Sequence, residues 1–228
     1  MKVLSLHSFK GGVGKTFVAL NLAYMLSEKH KVCLVDLDLI APTLYSFFDS
    51  ECYLNDFLYW NRDVRDCLVK ISERLHVIPA SPELEDIQRE LRKDDRMEMK
   101  TLERLTILKQ KLRNFDFVIL DTHPGISYSS VNSLILSDVV FIVLRPDRID
   151  VDGTEKILKI IENLSKPIYG IVNRDDGRDI RLPLDIAVRI PCNCDATMDT
   201  PFFVERFRDH PVTRSIGELT EFVLRLLG

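Results

Sequence analysis

The chain has 228 residues, enough for one well-buried domain without requiring a second. Hydrophobic residues make up 46% and charged residues 29%, an ordinary globular balance, and 31 basic against 35 acidic residues leave a net charge of −4. That balance excludes a surface given over as a whole to nucleic acid and leaves room only for a local basic patch.

In chain order, bare aliphatic runs predict strands over 2–7, 31–36, 75–79, 117–121, 139–144, 168–172 and 187–190. Most lack alternation, as strands buried on both faces should. Between them, helices are expected over 15–28, 83–92, 97–113, 153–163 and 216–227. Strands alternating with helices predict an α/β fold, a single doubly wound domain with a mainly parallel sheet flanked by helices. The stretch 47–74 is the least regular and holds the only tryptophan, Trp60. It reads as an insertion packed on the domain edge, with an exposed aromatic patch for a partner as the alternative.

No stretch approaches the roughly 20 apolar residues that cross a bilayer. The apolar start is too short for a secretory leader before Lys10 interrupts it, so a cytoplasmic protein is expected. Five cysteines, odd in number and mostly scattered, make disulfides unexpected.

The first strand runs into Lys10-Gly11-Gly12-Val13-Gly14-Lys15-Thr16, which opens the first helix. Glycines there let consecutive backbone N–H groups turn inward around an anion, and the helix N-terminus adds partial positive charge. Lys15 can then reach the β- and γ-phosphates, and Thr16 can place its hydroxyl on Mg²⁺. Phe9 stands where the ordinary phosphate loop has its first glycine.

A phosphate loop needs carboxylates for magnesium and for the attacking water. Asp36 and Asp38 stand two apart at the end of the second strand, on one face of an extended chain. Asp121 ends the apolar run Phe117-Val118-Ile119-Leu120 and is followed by Thr122-His123-Pro124-Gly125.

On the heptad with its extra lysine, the chain resembles the MinD/ParA family of deviant Walker A ATPases. The resemblance implies ATP and Mg²⁺ as cofactors, with Gly11 through Phe17 around the phosphates and Lys10 reaching the partner's nucleotide in an ATP-sandwich homodimer. It also implies a switch that signals to a protein partner, as in cell-division or partition positioning. Asp36-Leu37-Asp38 looks like the family's D-x-D motif, with Pro42-Thr43 matching the Pro-Ser/Thr that often follows. By that likeness Asp38 positions the water, Asp36 acts nearer the magnesium, Asp121 takes the Walker B position and Gly125 donates its N–H toward the γ-phosphate. His123 replaces the family's usual small residue or proline and reads as a loop hydrogen-bonder, with a general base as the alternative.

Asn173 matches the family's adenine-binding asparagine, with Arg174 beside it, and the loop from Pro191 covers the base. Asn173-Arg174-Asp175-Asp176 also approximates the N-K-x-D guanine reader, although the loop and the D-x-D set favour ATP. Cys192 and Cys194 form C-x-C and read as packing cysteines. A metal-insertion or metallocofactor-assembly ATPase using them as ligands is the alternative, and a nucleotide-dependent binding module with negligible turnover is a second. The last helix carries one arginine and two glutamates around an apolar stripe, which suits packing on the sheet better than a membrane surface. Neither membrane nor nucleic acid is signalled.

Overall fold

Strands rich in Val, Ile and Leu, with no polar face, must be covered on both sides, and the sheet is built that way. The structure is a computed structural model and describes residues 1–178, 181–193 and 200–227. Its strands are β1 (Lys2–His7), β2 (Val32–Leu37), β3 (Val69–Lys70), β4 (Leu75–Ile78), β5 (Phe117–Thr122), β6 (Val139–Leu144), β7 (Ile168–Asp175) and β8 (Ile186–Pro191). They lie in the order β3-β4-β2-β5-β1-β6-β7-β8, all parallel except β3, which pairs antiparallel with β4. Every residue of β2, β5 and β6 is buried.

The helices are α1 (Lys15–Ser27), α2 (Leu54–Tyr59), α3 (Leu84–Leu91), α4 (Asp95–Lys111), α5 (Tyr128–Leu136), α6 (Arg148–Ile161), α7 (Phe203–Arg206) and α8 (Pro211–Leu227). One face of the sheet, through Leu4, Leu6, Leu34 and Ile119, packs on α1 and α8. The other, through Val3, Cys33, Val35 and Val118, packs on α2 and α4. Helix α1 is apolar nearly all round because it lies between the sheet and α8. Helix α8 buries Val212, Ile216, Leu219 and Val223 and keeps Glu218, Glu221 and Arg225 outward, as expected of a helix packed on the sheet. Among the described residues, no helix is long and apolar enough to cross a membrane.

The chain leaves β1 toward β2 on one side and crosses from β5 to β6 on the other. The crevice at the carboxyl ends of the strands, where connections diverge, is where such sheets take ligands.

The irregular stretch divides between the second face of the sheet, where α2 packs, and the sheet edge, where β3 lies. Phe57 and Leu58 of α2 are buried, and β3 adds an edge strand. Trp60 ends α2 at 58% exposure, with the Arg89 guanidinium 4.6 Å from its ring centroid. The expectation of no disulfide is corrected here. Cys52 and Cys67, 15 residues apart, are paired with Cα atoms 4.5 Å apart, because the chain around α2 folds both into one buried cluster. Cys33 stays a buried free thiol, and burial pushes its pKa up.

Candidate nucleotide site

The loop between β1 and α1 turns through two left-handed glycines, Gly12 at φ +75° and Gly14 at φ +93°. Gly14 is also the N-cap of α1, and a Cβ there would stand 2.2 Å from the Asn173 amide nitrogen, so glycine is required twice over. Gly11 and Gly12 are exposed, Val13 is buried and Thr16 is half-buried. Phe17 turns its ring inward against Phe203, with centroids 5.7 Å apart, so only its backbone is left for the loop. Lys15 is buried and its ammonium donates to Asp121 Oδ1.

Strands β2 and β5 pair in register, Asp36 beside Asp121 and Leu37 beside Thr122, which sets two carboxylates abreast at the ends of neighbouring strands. Asp36 is fully buried, and burial together with the Asp121 charge pushes its pKa well above the carboxylate range. Its Oδ1 accepts from the Asp38 N–H at 3.0 Å, and its Oδ2 from the Thr43 and Leu44 N–H groups at 3.1 Å each. Asp36 therefore folds the turn after β2, a task the sequence reading did not give it.

Asp38 Oδ1 accepts from the Ala41 N–H at 3.0 Å and pairs with His123 Nδ1 at 2.7 Å. Two carboxylates abreast at neighbouring strand ends, one beside an ammonium, are residue types that a hard cation favours. Burial raises Asp36 most, and the added repulsion from Asp121 is what a nearby cation would relieve.

Behind these groups His7 is buried, its Nδ1 2.8 Å from the Thr122 hydroxyl, which donates to the Leu6 carbonyl. Burial, followed by the Lys15 charge, lowers its pKa to about 3, so it stays neutral. Gly125 takes φ +85°, but its N–H donates to the Ser8 carbonyl at 2.8 Å rather than pointing into open space. The expected γ-phosphate donor is therefore engaged, because Ser8 leaves β1 alongside it. The Ser8 hydroxyl in turn donates to the Lys10 carbonyl at 2.8 Å.

Lys10 turns toward α6. Its Nζ lies 3.8 Å from Oδ1 of the buried Asp150, an oxygen that no hydrogen bond reaches, while Asp150 Oδ2 accepts from the Arg145 N–H and Nε at 3.1 Å each. Helix α6 starts five residues earlier than expected because Asp147 caps it, accepting from the Ile149 and Asp150 N–H groups. Phe9 lies against this helix. A Cβ on Gly153 would come within 2.0 Å of its ring, so glycine admits the aromatic there. Nothing in the sequence signalled Asp150, since its contact with Lys10 spans 140 positions of chain.

On the β7 side, the Asn173 amide nitrogen donates to the Val13 carbonyl at 2.7 Å, which ties this residue to the β1–α1 loop. Arg174 is exposed at φ +54° and Pro191 is half-buried at the end of β8. The Arg189 guanidinium lies 3.3 Å from Asp175, and the Cys192 N–H donates to the Asp175 carbonyl at 2.8 Å. Cys192 is an exposed free thiol, whereas Cys194 lies outside the described residues. Among the described residues, no group of three or more His, Cys, Asp or Glu is placed to hold a metal ion.

Residues 1–173 match the family model described as the AAA domain. The chain is 33% identical over 181 residues to the virulence plasmid ParA family protein pGP5-D of Chlamydia psittaci, covering 75% of this chain and 68% of that protein. Its fold superposes on the septum site-determining protein MinD complexed with Mg-ADP from Pyrococcus horikoshii at a TM-score of 0.84 and 22% identity, over 100% of this chain and 97% of that one. A putative plasmid partition protein from Borrelia burgdorferi bound to AMPPNP gives 0.80 at 21% identity, over 99% of each chain. With this phosphate loop, these carboxylates and this sheet, the chain belongs to the MinD/ParA group of P-loop ATPases.

Proposed function

We propose that the chain is an ATP-hydrolysing switch that closes into a homodimer around Mg-ATP and reports its state to a protein partner, in the manner of partition or cell-division positioning ATPases. The observation that carries this reading is the cluster of Lys15 on Asp121 with Asp36 alongside, at the mouth of a glycine loop. ATP phosphates entering the loop would draw Lys15 off Asp121 and onto the β- and γ-phosphates. Thr16, Asp36 and Asp121 would hold Mg²⁺ directly or through water, and the metal would neutralise charge on the phosphate oxygens. The MinD neighbour with Mg-ADP supports that pairing of nucleotide and metal.

Asp38 accepts a proton or hydrogen bond from the attacking water, and Asn173, Arg174 and the Pro191 loop border the base. In this reading the switch works in the cytoplasm as a single domain. Exposed Ile126, Tyr128 and Ile149, at 46%, 68% and 60%, flank the Gly125 and Asp150 segments and form the kind of surface that a second copy covers. Release of Lys10 from Asp150 then lets it serve the facing site.

The test is phosphate release from ATP and Mg²⁺ by the wild type and by Asp38→Ala. A loss of on the order of a hundredfold is expected, since positioning of the water goes with the carboxylate. Equal rates would remove Asp38 from the mechanism, and absent turnover with intact ATP binding would make the chain a binding module. Sizing Asp38→Ala with saturating ATP and Mg²⁺ should give a dimer, and a monomer would overturn the sandwich.

A further inference from the structure

Beyond β2 and β5 the chains keep running side by side. Asp36 pairs with Asp121 and Leu37 with Thr122, so the next residues, Asp38 and His123, emerge as neighbours. Their side chains meet there, Nδ1 to Oδ1 at 2.7 Å, with the His side chain 24% and the Asp side chain 13% exposed. Both hydrogen bonds that Asp38 accepts, from His123 and from the Ala41 N–H, fall on Oδ1. Its backbone N–H is held by Asp36. The carboxylate is therefore fixed at one oxygen and along the main chain, and Oδ2 is the oxygen left to face a ligand.

His123 itself sits in the segment that ends at Gly125, whose N–H is tied to Ser8 and whose carbonyl accepts from the Ser130 hydroxyl at 3.0 Å. A carboxylate steered from a neighbouring, separately anchored loop responds to whatever moves that loop.

We propose that His123 is a positioning residue for ATP hydrolysis. It donates from Nδ1 to Asp38 Oδ1, orients Oδ2 toward the attacking water, and couples that orientation to the Thr122–Gly125 segment. The proposal rests on the reading of the site as an ATPase. It assigns His123 no contact with nucleotide and no proton transfer. Removing it should slow the chemical step and leave ground-state ATP binding alone.

The experiment measures single-turnover phosphate release and, separately, binding of a fluorescent ATP analogue. The proteins are wild type, His123→Ala, His123→Phe, His123→Asn, Asp38→Ala and the Asp38→Ala/His123→Ala double variant. His123→Ala and His123→Phe should lose roughly tenfold to a hundredfold in rate with affinity within about twofold. His123→Asn places an amide nitrogen near the Nδ1 position and should recover much of the loss. In the Asp38→Ala background, His123→Ala should change nothing further.

Unchanged turnover in His123→Ala, equal loss in His123→Asn and His123→Ala, or a full additional loss on top of Asp38→Ala would each overturn the proposal. If the wild type releases phosphate no faster than Asp38→Ala, the ATPase reading falls and takes the proposal with it. An active wild type with an indifferent His123 sinks the proposal alone. Thermal melts of each variant separate misfolding from loss of positioning, and His123→Asn carries the test if His123→Ala is unstable.

Discussion

Lys15 donates to Asp121, and both side chains are nearly inaccessible to water. Removing one partner of a buried pair strands the other charge, at a cost of about 3–5 kcal/mol. Lys15→Ala should therefore abolish ATP binding and also lower the unfolding free energy at neutral pH by a few kcal/mol, read by urea denaturation. A fully stable Lys15→Ala protein would mean that Asp121 is relieved some other way.

His7 gives a pH signature. Folded, it resists protonation down to about pH 3, whereas its unfolded value is 6.5. Below pH 6.5 the unfolded chain takes up the proton first, so this group's contribution is whole above pH 6.5 and is lost as pH falls toward 3. The slope is about 1.4 kcal/mol per pH unit at most. Urea midpoints at pH 7, 6 and 5 should fall more steeply in the wild type than in His7→Gln, and parallel curves would refute the assignment.

At the scale of elements, Phe9 and α6 make one joint. Gly153→Ala would drive a methyl group into the Phe9 ring, and relief requires moving either the helix or the residue beside Lys10. A destabilisation of about 1–3 kcal/mol is expected, with weakened ATP binding as the reading specific to the loop. Unaltered affinity would show that Phe9 swings clear.

The same scale shows what was readable in the chain. The central strands β1, β2, β5 and β6 are bare aliphatic runs, and the structure places them within a residue or so of expectation. Helix α5 was not expected because Tyr-Ser-Ser-Val-Asn-Ser reads as loop, and it forms because Ser127 caps it and pairs with Ser130. Segments α2 and β3 are too short to show a period, and packing decides them. Within the site, residue types and local spacing offered Lys15, Asp36, Asp38 and Asp121 as candidates, and the structure brings them together at the ends of β2 and β5. The Asp38–His123, Lys10–Asp150 and Asn173–Val13 contacts arise from strand order and register, which local spacing does not encode.

For the whole molecule, the contacts Lys15–Asp121, Asp38–His123, Lys10–Asp150 and Asn173–Val13 join segments at β1, β2, β5, β6 and β7, five of the eight strands among the described residues. Strands β2, β5 and β6, buried on both faces, have little slack to absorb a displacement there.

Trp60 lies at the end of α2, under the Arg89 guanidinium. As the chain's sole indole, it is a built-in optical reporter that needs no label. Its emission, excited selectively above the tyrosines, arises from the end of α2, a segment that contributes none of the phosphate-loop residues. A spectral change on adding ATP would mean that the nucleotide's arrival is felt as far as the end of α2.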